Sequence, residues 1–173
     1  FKLFRAKIYS QYARANDNFD RVTLSSGSST TRNHDYYLKN DSFGGDLEFQ
    51  SDFSGNKLTY GLDFSEVDTS RLRTTKTVGG STSEAKDTPD TKITRLGAYL
   101  QDEVSLGKFD FIAGLRFDNY DLDAKGDSLV SESVAKDLSA DELTPKIAAT
   151  YNFTDKFTGY SSYSKGFRAP AYY

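Results

Sequence analysis

The stretch LGAYLQDEVSLGKFDFIAGLRFD, from Leu96 to Asp118, decides the fold. It contains two segments in which apolar and polar side chains alternate, joined by a short turn around Gly107. Successive side chains of a strand point to opposite faces, so a period of two predicts two strands, each with one apolar and one polar face. A glycine between them supplies the backbone conformation that a hairpin turn needs.

The same unit recurs along the chain. Seven alternating segments are predicted as strands, over about residues 1–14, 41–53, 58–67, 92–106, 109–122, 143–153 and 157–165. Short turns near Gly55, Gly107 and Asp155 alternate with long polar stretches, over about residues 15–40, 68–91 and 123–142. Because these stretches are rich in turn-forming residues and have no helical period, we expect loops there.

The composition narrows the class of protein. Only 36% of the 173 residues are hydrophobic, and no apolar run approaches the roughly 20 residues of a transmembrane helix. A transmembrane β-barrel stays open, because its strands are apolar only at alternate positions. The absence of cysteine excludes a disulfide framework, a thiolate metal site and a cysteine nucleophile. A net charge of −3 gives no support for a nucleic-acid partner.

The connections favour a membrane barrel over the alternative, a soluble β-sandwich, which also alternates apolar and polar residues. Barrels of outer membranes have short turns at one end and long loops at the other. The polar faces carry charges of both signs, as expected for a water-filled lumen, and tyrosine and phenylalanine gather near the turns. We therefore predict an all-β fold, an antiparallel transmembrane β-barrel.

The number of strands sets a further condition. Seven strands are too few to close a barrel, and an open edge in lipid would leave backbone groups unpaired at several kcal/mol each. We therefore expect this chain to be part of one larger barrel domain.

Four short motifs resemble the mid-barrel region of TonB-dependent outer-membrane receptors. They are RLGAYLQDE at Arg95–Glu103, GLRFD at Gly114–Asp118, LTPK at Leu143–Lys146 and YSKGFRAP at Tyr163–Pro170. Their order and spacing are most similar to the haem/haemoglobin receptor branch. The resemblance covers the chain from about Ile93 to its end, whereas the first ninety residues share only the rhythm of strands and loops.

The resemblance implies a 22-stranded barrel in a bacterial outer membrane, plugged by an N-terminal domain that this chain lacks. Such a receptor takes up haem with energy from TonB, which acts through the plug, and it contacts lipid, lipopolysaccharide and haemoglobin or another haem carrier. Haem or an iron-siderophore is then transported cargo, and we expect neither an intrinsic cofactor nor an enzyme. The chain ends before the family's second motif and the loop histidine expected with it.

Other functions remain open. A siderophore receptor has the same fold, and a passive porin would also be a barrel. An outer-membrane hydrolase that uses His34 and Asp35 is the enzyme alternative, but a closed small barrel would require an even number of strands.

Two groups of side chains are candidates for ligand binding. His34, Tyr36 and Tyr37 lie in the sequence HDYY, and haem iron accepts histidine or tyrosine as an axial ligand. Arg71 and Arg73 could bind haem propionates or an anionic siderophore. The alternatives are an ordinary exposed histidine and a solvated charge cluster.

The motif near the end of the chain is expected to be structural. Its residues are Gly166, Phe167, Arg168, Ala169 and Pro170. Arginine at the junction of a strand and a loop can hold lumenal carboxylates or loop carbonyls, and proline ends a strand because it lacks a backbone donor. We assign no catalytic residue and no metal site, since a calcium loop beginning at Asn119 would need glycine where Ala124 stands.

Overall fold

The computed structural model describes residues 2–131 and 134–168. Its eight strands are β1 (Leu3–Ser25), β2 (Ser28–Phe53), β3 (Asn56–Thr77), β4 (Thr82–Ala85), β5 (Asp90–Leu106), β6 (Phe109–Lys125), β7 (Leu138–Thr154) and β8 (Phe157–Ser164). They form one antiparallel sheet in the order β1-β2-β3-β5-β6-β7-β8, and the short β4 pairs with β3. Within the described ranges, no helix is long and apolar enough to cross a membrane.

The strand register gives the sheet two chemically different faces. One row across six strands is apolar and consists of Ala6, Leu47, Leu62, Ala98, Phe117 and Leu143. The next row is mostly charged and consists of Lys7, Asp46, Asp63, Gly97, Asp118 and Glu142. Adjacent rows point to opposite faces. The alternation predicted for the central hairpin is confirmed, and we call the two surfaces the apolar face and the polar face.

The apolar face has no second layer over it. Leu62 is 53% exposed and Ile147 is 56% exposed, and other large apolar side chains of this face are similarly open. A β-sandwich would bury these side chains between two sheets. The sandwich alternative is therefore wrong, because all the described strands belong to one sheet.

The predicted loops over residues 15–40 and 68–91 are wrong in extent. Strands β1 and β2 continue through the first of them to a turn at 26–27, where Gly27 has a φ of +87°. Strand β3 continues to Thr77, so residues 78–81 and 86–89 are what remains of the second loop. The third loop shrinks from 123–142 to 126–137.

The reason is that these strand ends have no regular apolar face. Residues 28–40 read SSTTRNHDYYLKN, so they lack the alternation by which a strand is recognised. They are nevertheless paired with β1 on one side, and from Arg32 onward with β3 on the other. Backbone hydrogen bonds and two neighbouring strands thus hold a segment that hydrophobicity alone does not mark.

Strand β2 is too long to lie entirely within a membrane. At about 3.3 Å per residue, its 26 residues extend for about 85 Å, far more than a bilayer core of about 30 Å. On its apolar face, phenylalanine and leucine occur only at Phe43, Leu47, Phe49 and Phe53. Residues 28–40 of β2, with the parts of β1 and β3 that pair with them, therefore project beyond the apolar zone.

Residues 126–131 and 134–137 fold back onto the polar face. Val130 is buried, and Ala135 packs against the cluster of Tyr120, Leu122 and Ala124. Asp127 accepts hydrogen bonds from the backbone N–H groups of Leu129 and Val130, at 2.8 and 3.0 Å. This loop is thus anchored, although its sequence is strongly acidic.

A second contact joins this loop to the connection before β5. Lys86 Nζ lies 2.6 Å from Asp127 Oδ2 and 2.8 Å from Asp90 Oδ2, and its side chain is only 9% exposed. The hydrogen bond from Lys86 holds the pKa of Asp127 below its ordinary value. Because the carboxylate is therefore charged at neutral pH, the two connections remain linked.

We predict that Val130→Asp releases the loop from the polar face. An unpaired carboxylate at this buried position would cost at least about 1 kcal/mol, enough to raise amide hydrogen exchange in residues 126–131 several-fold. Leu129→Asp is the matched control, because Leu129 is 37% exposed and should tolerate the same change. Equal exchange in the two variants would contradict the anchoring role of Val130.

Candidate functional site: the polar face

Arg116 is the centre of the polar face. Its Nη1 lies 2.8 Å from Asp63 Oδ2 on β3, and its Nη2 lies 2.7 Å from Asp118 Oδ1 on its own strand. The Nε–H also donates to Asp118, at 2.8 Å. The guanidinium lies 6.0 Å from the ring centroid of Tyr99. One arginine therefore crosses β5 and ties three neighbouring strands together on their polar side.

Gly97 makes this crossing possible. It lies on β5 between Asp63 and Asp118 in the register. A Cβ atom built on Gly97 would collide with Arg116 Nη2 and would lie 2.5 Å from Asp63 Oδ2. The glycine is thus required by the close approach of the ion pair.

Tyrosine rings cover two other glycines of the same face. A Cβ atom on Gly61 would lie 2.6 Å from Cζ of Tyr99, and one on Gly44 would lie 2.6 Å from Cζ of Tyr9. The Tyr99 hydroxyl donates to Glu48 Oε2 at 2.9 Å, and Glu48 Oε1 accepts from Arg5 at 3.0 Å. Side chains on the polar face are therefore packed and hydrogen-bonded along the sheet.

A second cluster lies on the polar face in the projecting part of the sheet. The ring of Phe19 stacks on His34, with centroids 5.1 Å apart, and on Tyr36, with centroids 5.8 Å apart. Arg73 lies over the Tyr36 ring at 5.9 Å and pairs with Asp87 at 3.2 Å. We call Phe19, His34, Tyr36 and Arg73 the upper cluster.

His34 is enclosed within the upper cluster. Its Nδ1 is 3.1 Å from the hydroxyl of Thr75, and its Nε2 is buried without a hydrogen-bond partner among the described residues. The sequence suggested a histidine at the end of a loop, whereas His34 lies inside β2. In this arrangement neither ring nitrogen faces an open site for a ligand.

The remaining predicted ligand-binding residues are divided between the two faces. Arg71 and Arg73 are two residues apart on β3 and share the polar face with Tyr36. Tyr37 follows Tyr36 directly and therefore lies on the apolar face. The structure thus brings together Tyr36, Arg71 and Arg73 and separates Tyr37 from them.

The end of the chain contributes to the polar face. Phe167 packs against the cluster around Tyr120, and Arg168 is exposed beside it. No heavy atom lies within 4 Å of a Cβ position built on Gly166. The other two motif residues, Ala169 and Pro170, lie outside the described residues.

Two participants were not identified from the sequence. Phe19 completes the upper cluster, but it reaches His34 only through the unrecognised turn at 26–27. Arg95 stacks on Tyr120 across two strands, at 5.5 Å, and only the register of β5 and β6 reveals this pair. Both are side chains whose role depends on cross-strand neighbours.

The chemistry available on this face is that of a polar wall. Its carboxylates are held by arginine and tyrosine, which stabilises charges in fixed positions. Among the residues that the structure describes, no three histidine, aspartate or glutamate side chains converge to hold a metal ion.

Comparisons with known proteins place this sheet in context. Residues 2–173 match the family described as TonB dependent receptor-like, beta-barrel. The structure is similar to that of the copper transporter OprC, with a TM-score of 0.67 and 12% identity over 93% of this chain and 27% of that chain. It is also similar to the alcaligin outer-membrane receptor FauA of Bordetella pertussis, with a TM-score of 0.50 and 17% identity over 93% of this chain and 29% of that chain. No curated protein sequence is significantly similar to the chain.

The chain spans between a quarter and a third of the length of these two structures. At such low identity the likeness concerns the fold, an antiparallel half-barrel, and within residues 2–131 and 134–168 the structure contains no helix.

We predict that Gly97→Ala lowers the free energy of unfolding by about 1–3 kcal/mol, because the added methyl group would push Arg116 away from Asp63. Gly114→Ala is the control, since a Cβ there would make only ordinary contacts, at 3.5 Å and beyond. Urea unfolding of the full-length protein, followed by circular dichroism, measures both. Equal stabilities would show that the close approach at Gly97 has no energetic weight.

Proposed function

Because the chain belongs to the TonB dependent receptor-like β-barrel family, we propose that it forms part of the wall of a receptor that imports haem, free or carrier-bound. The barrel lies in the outer membrane, as expected for this family. In this proposal TonB supplies the energy through a plug domain carried by another part of the protein. The remaining strands of the barrel would pair with the free edges of β1 and β8.

The observation that carries the proposal is the difference between the two faces. An exposed apolar face suits lipid, and a continuous ion-paired face suits a water-filled lumen. On β2 the apolar zone spans residues 43–53, and a tilted strand needs about 9–11 residues to cross a bilayer. The part of β1–β3 beyond this zone would then project outside the cell, where a receptor meets its cargo.

The haem assignment rests on the four motifs and on the upper cluster. Arg116, Gly97 and Thr144 come from three of the motifs and meet in space, since Thr144 Oγ1 donates to the Arg116 carbonyl at 3.3 Å. This contact supports the family pattern. Stacked rings of Phe19 and Tyr36 beside Arg73 offer a porphyrin both an apolar surface and a cation for its propionates.

A ferric siderophore is the second candidate cargo. FauA, whose fold is shared, is described as a receptor for alcaligin. Arg71 and Arg73 on the polar face would attract an anionic iron complex as well as a propionate. The distinction between the two cargoes therefore needs a binding experiment.

Partners follow from the same proposal. The apolar face would contact lipid, and the charged positions just above it would meet lipopolysaccharide. Haemoglobin or another haem carrier would approach the projecting strands. We expect the protein to act as a receptor and transporter rather than as a hydrolase or a passive porin.

We predict that bacteria expressing the full-length receptor grow on haemin as the only iron source, and that growth stops when TonB is deleted. Energy coupling is required because a plugged barrel does not leak its cargo. Growth on ferric alcaligin but not on haemin would assign the receptor to siderophores instead. Growth that persists without TonB would favour a passive porin.

We also predict that His34→Ala leaves the Soret band of the haemin-bound, full-length receptor at its wild-type wavelength. Neither nitrogen of His34 is open, so a different residue should bind the iron. Arg73→Gln should instead weaken haemin binding about tenfold, because it removes a charge-assisted contact. A shifted band in His34→Ala would mean that Phe19 moves aside and that His34 is an iron ligand.

A further inference from the structure

A recess on the polar face contains more cationic than anionic groups. It has a volume of about 490 Å³, and its lining includes Asp63, Arg95, Arg116, Asp118, Tyr120 and Arg168. Three arginines therefore face two carboxylates. The recess lies below the upper cluster, opposite the middle of β3, β5 and β6.

Both carboxylates of the recess already bind Arg116. Asp63 and Asp118 lie within 3 Å of its guanidinium nitrogens, as described above. The nearby Glu142 is paired with Lys165 at 2.6 Å. Within residues 2–131 and 134–168, neither Arg95 nor Arg168 has a carboxylate at ion-pair distance. Two arginines of the recess thus have no ion-pair partner there, and its charged groups sum to +1.

The guanidinium of Arg95 lies over the ring of Tyr120, which fixes its position. The guanidinium lies 5.5 Å from the centroid of Tyr120, a ring that is only 2% exposed. Stacking of this kind holds the planar group by its face and leaves the N–H groups at its edge available. Phe167 packs against the same cluster and brings Arg168 to the rim of the recess.

We propose that Arg95 and Arg168 form an anion-binding site on the lumenal wall, and that it takes a carboxylate group of the transported cargo. Arginine is suited to this role because its fork of donors matches a carboxylate with two parallel hydrogen bonds. The site deepens the proposed function and rests on it, since it assigns the cargo to the class of anionic iron complexes. Such a site would hold the cargo on its way from the upper cluster into the lumen.

The test compares two probes, haemin with its two propionates and haemin dimethyl ester without them, on the purified full-length receptor that carries Arg73→Gln. In this background the upper cluster no longer offers a cation to a propionate, so the difference between the probes reports on the recess. We expect the receptor to bind haemin about tenfold more tightly than the ester. Arg95→Gln and Arg168→Gln should each weaken haemin binding about tenfold and leave the ester unaffected. Lys57→Gln is the control, because Lys57 lies on the polar face at the turn end of β3, away from both the recess and the upper cluster, and already pairs with Glu103 at 3.1 Å.

The outcomes separate the site from the haem assignment. Equal affinity for haemin and its ester would overturn the site while leaving haem uptake intact. If haemin does not bind but ferric citrate binds in an Arg95-dependent manner, the site stands and the haem assignment fails. If neither haemin nor ferric citrate binds, both the anion-binding site and the haem assignment are overturned.

One further readout identifies the source of the carboxylate. If the arginines instead bind a carboxylate of the plug, Arg95→Gln and Arg168→Gln would lower the thermal stability of the unliganded receptor and leave haemin affinity unchanged. That result would contradict a cargo site. Since Arg168 is exposed, its variant should fold even where Arg95→Gln disturbs the packing of Tyr120.

Discussion

Backbone pairing governs this structure. A peptide N–H or C=O group without a partner in lipid costs several kcal/mol, so a strand can enter the membrane only with neighbours on both sides. The order from β1 to β8 provides these neighbours for every strand between the two edges. Pairing also fixes the register, and a slip of one residue would move Leu62 to the lumen and Asp63 into lipid. The chemistry of both faces therefore depends on the ladder.

On the polar face, this register brings side chains of neighbouring strands into contact. Gly97 provides space, Arg116 crosses that space to reach Asp63, and Tyr99 covers the neighbouring Gly61. The motifs that resemble the receptor family supply Gly97, Tyr99 and Arg116. What looks like a set of separate sequence signatures is thus largely one packed unit, in which each residue has a spatial partner on the next strand.

Sequence reasoning succeeded where one face is apolar and the other polar. The hairpin of β5 and β6 was predicted nearly to its ends, and Gly107 has the positive φ expected at its turn. It failed for residues 15–40, because the few apolar side chains there do not keep a period of two over the length of a strand. That error also misplaced His34 in a loop and hid its contact with Phe19. The recess at Arg95 was missed because it is built from cross-strand neighbours that only the register brings together.

The central claim concerns which face meets lipid, and electron paramagnetic resonance tests it directly. Because this chain contains no cysteine, single spin labels can be placed at Leu62 and at Asp63 in a cysteine-free full-length receptor in liposomes. Our account predicts that the label at position 62 collides mainly with oxygen, which concentrates in the bilayer. The label at position 63 should be shielded from lipid and respond less to oxygen. Oxygen accessibility that is equal at the two positions, or greater at 63, would contradict the assignment of the two faces.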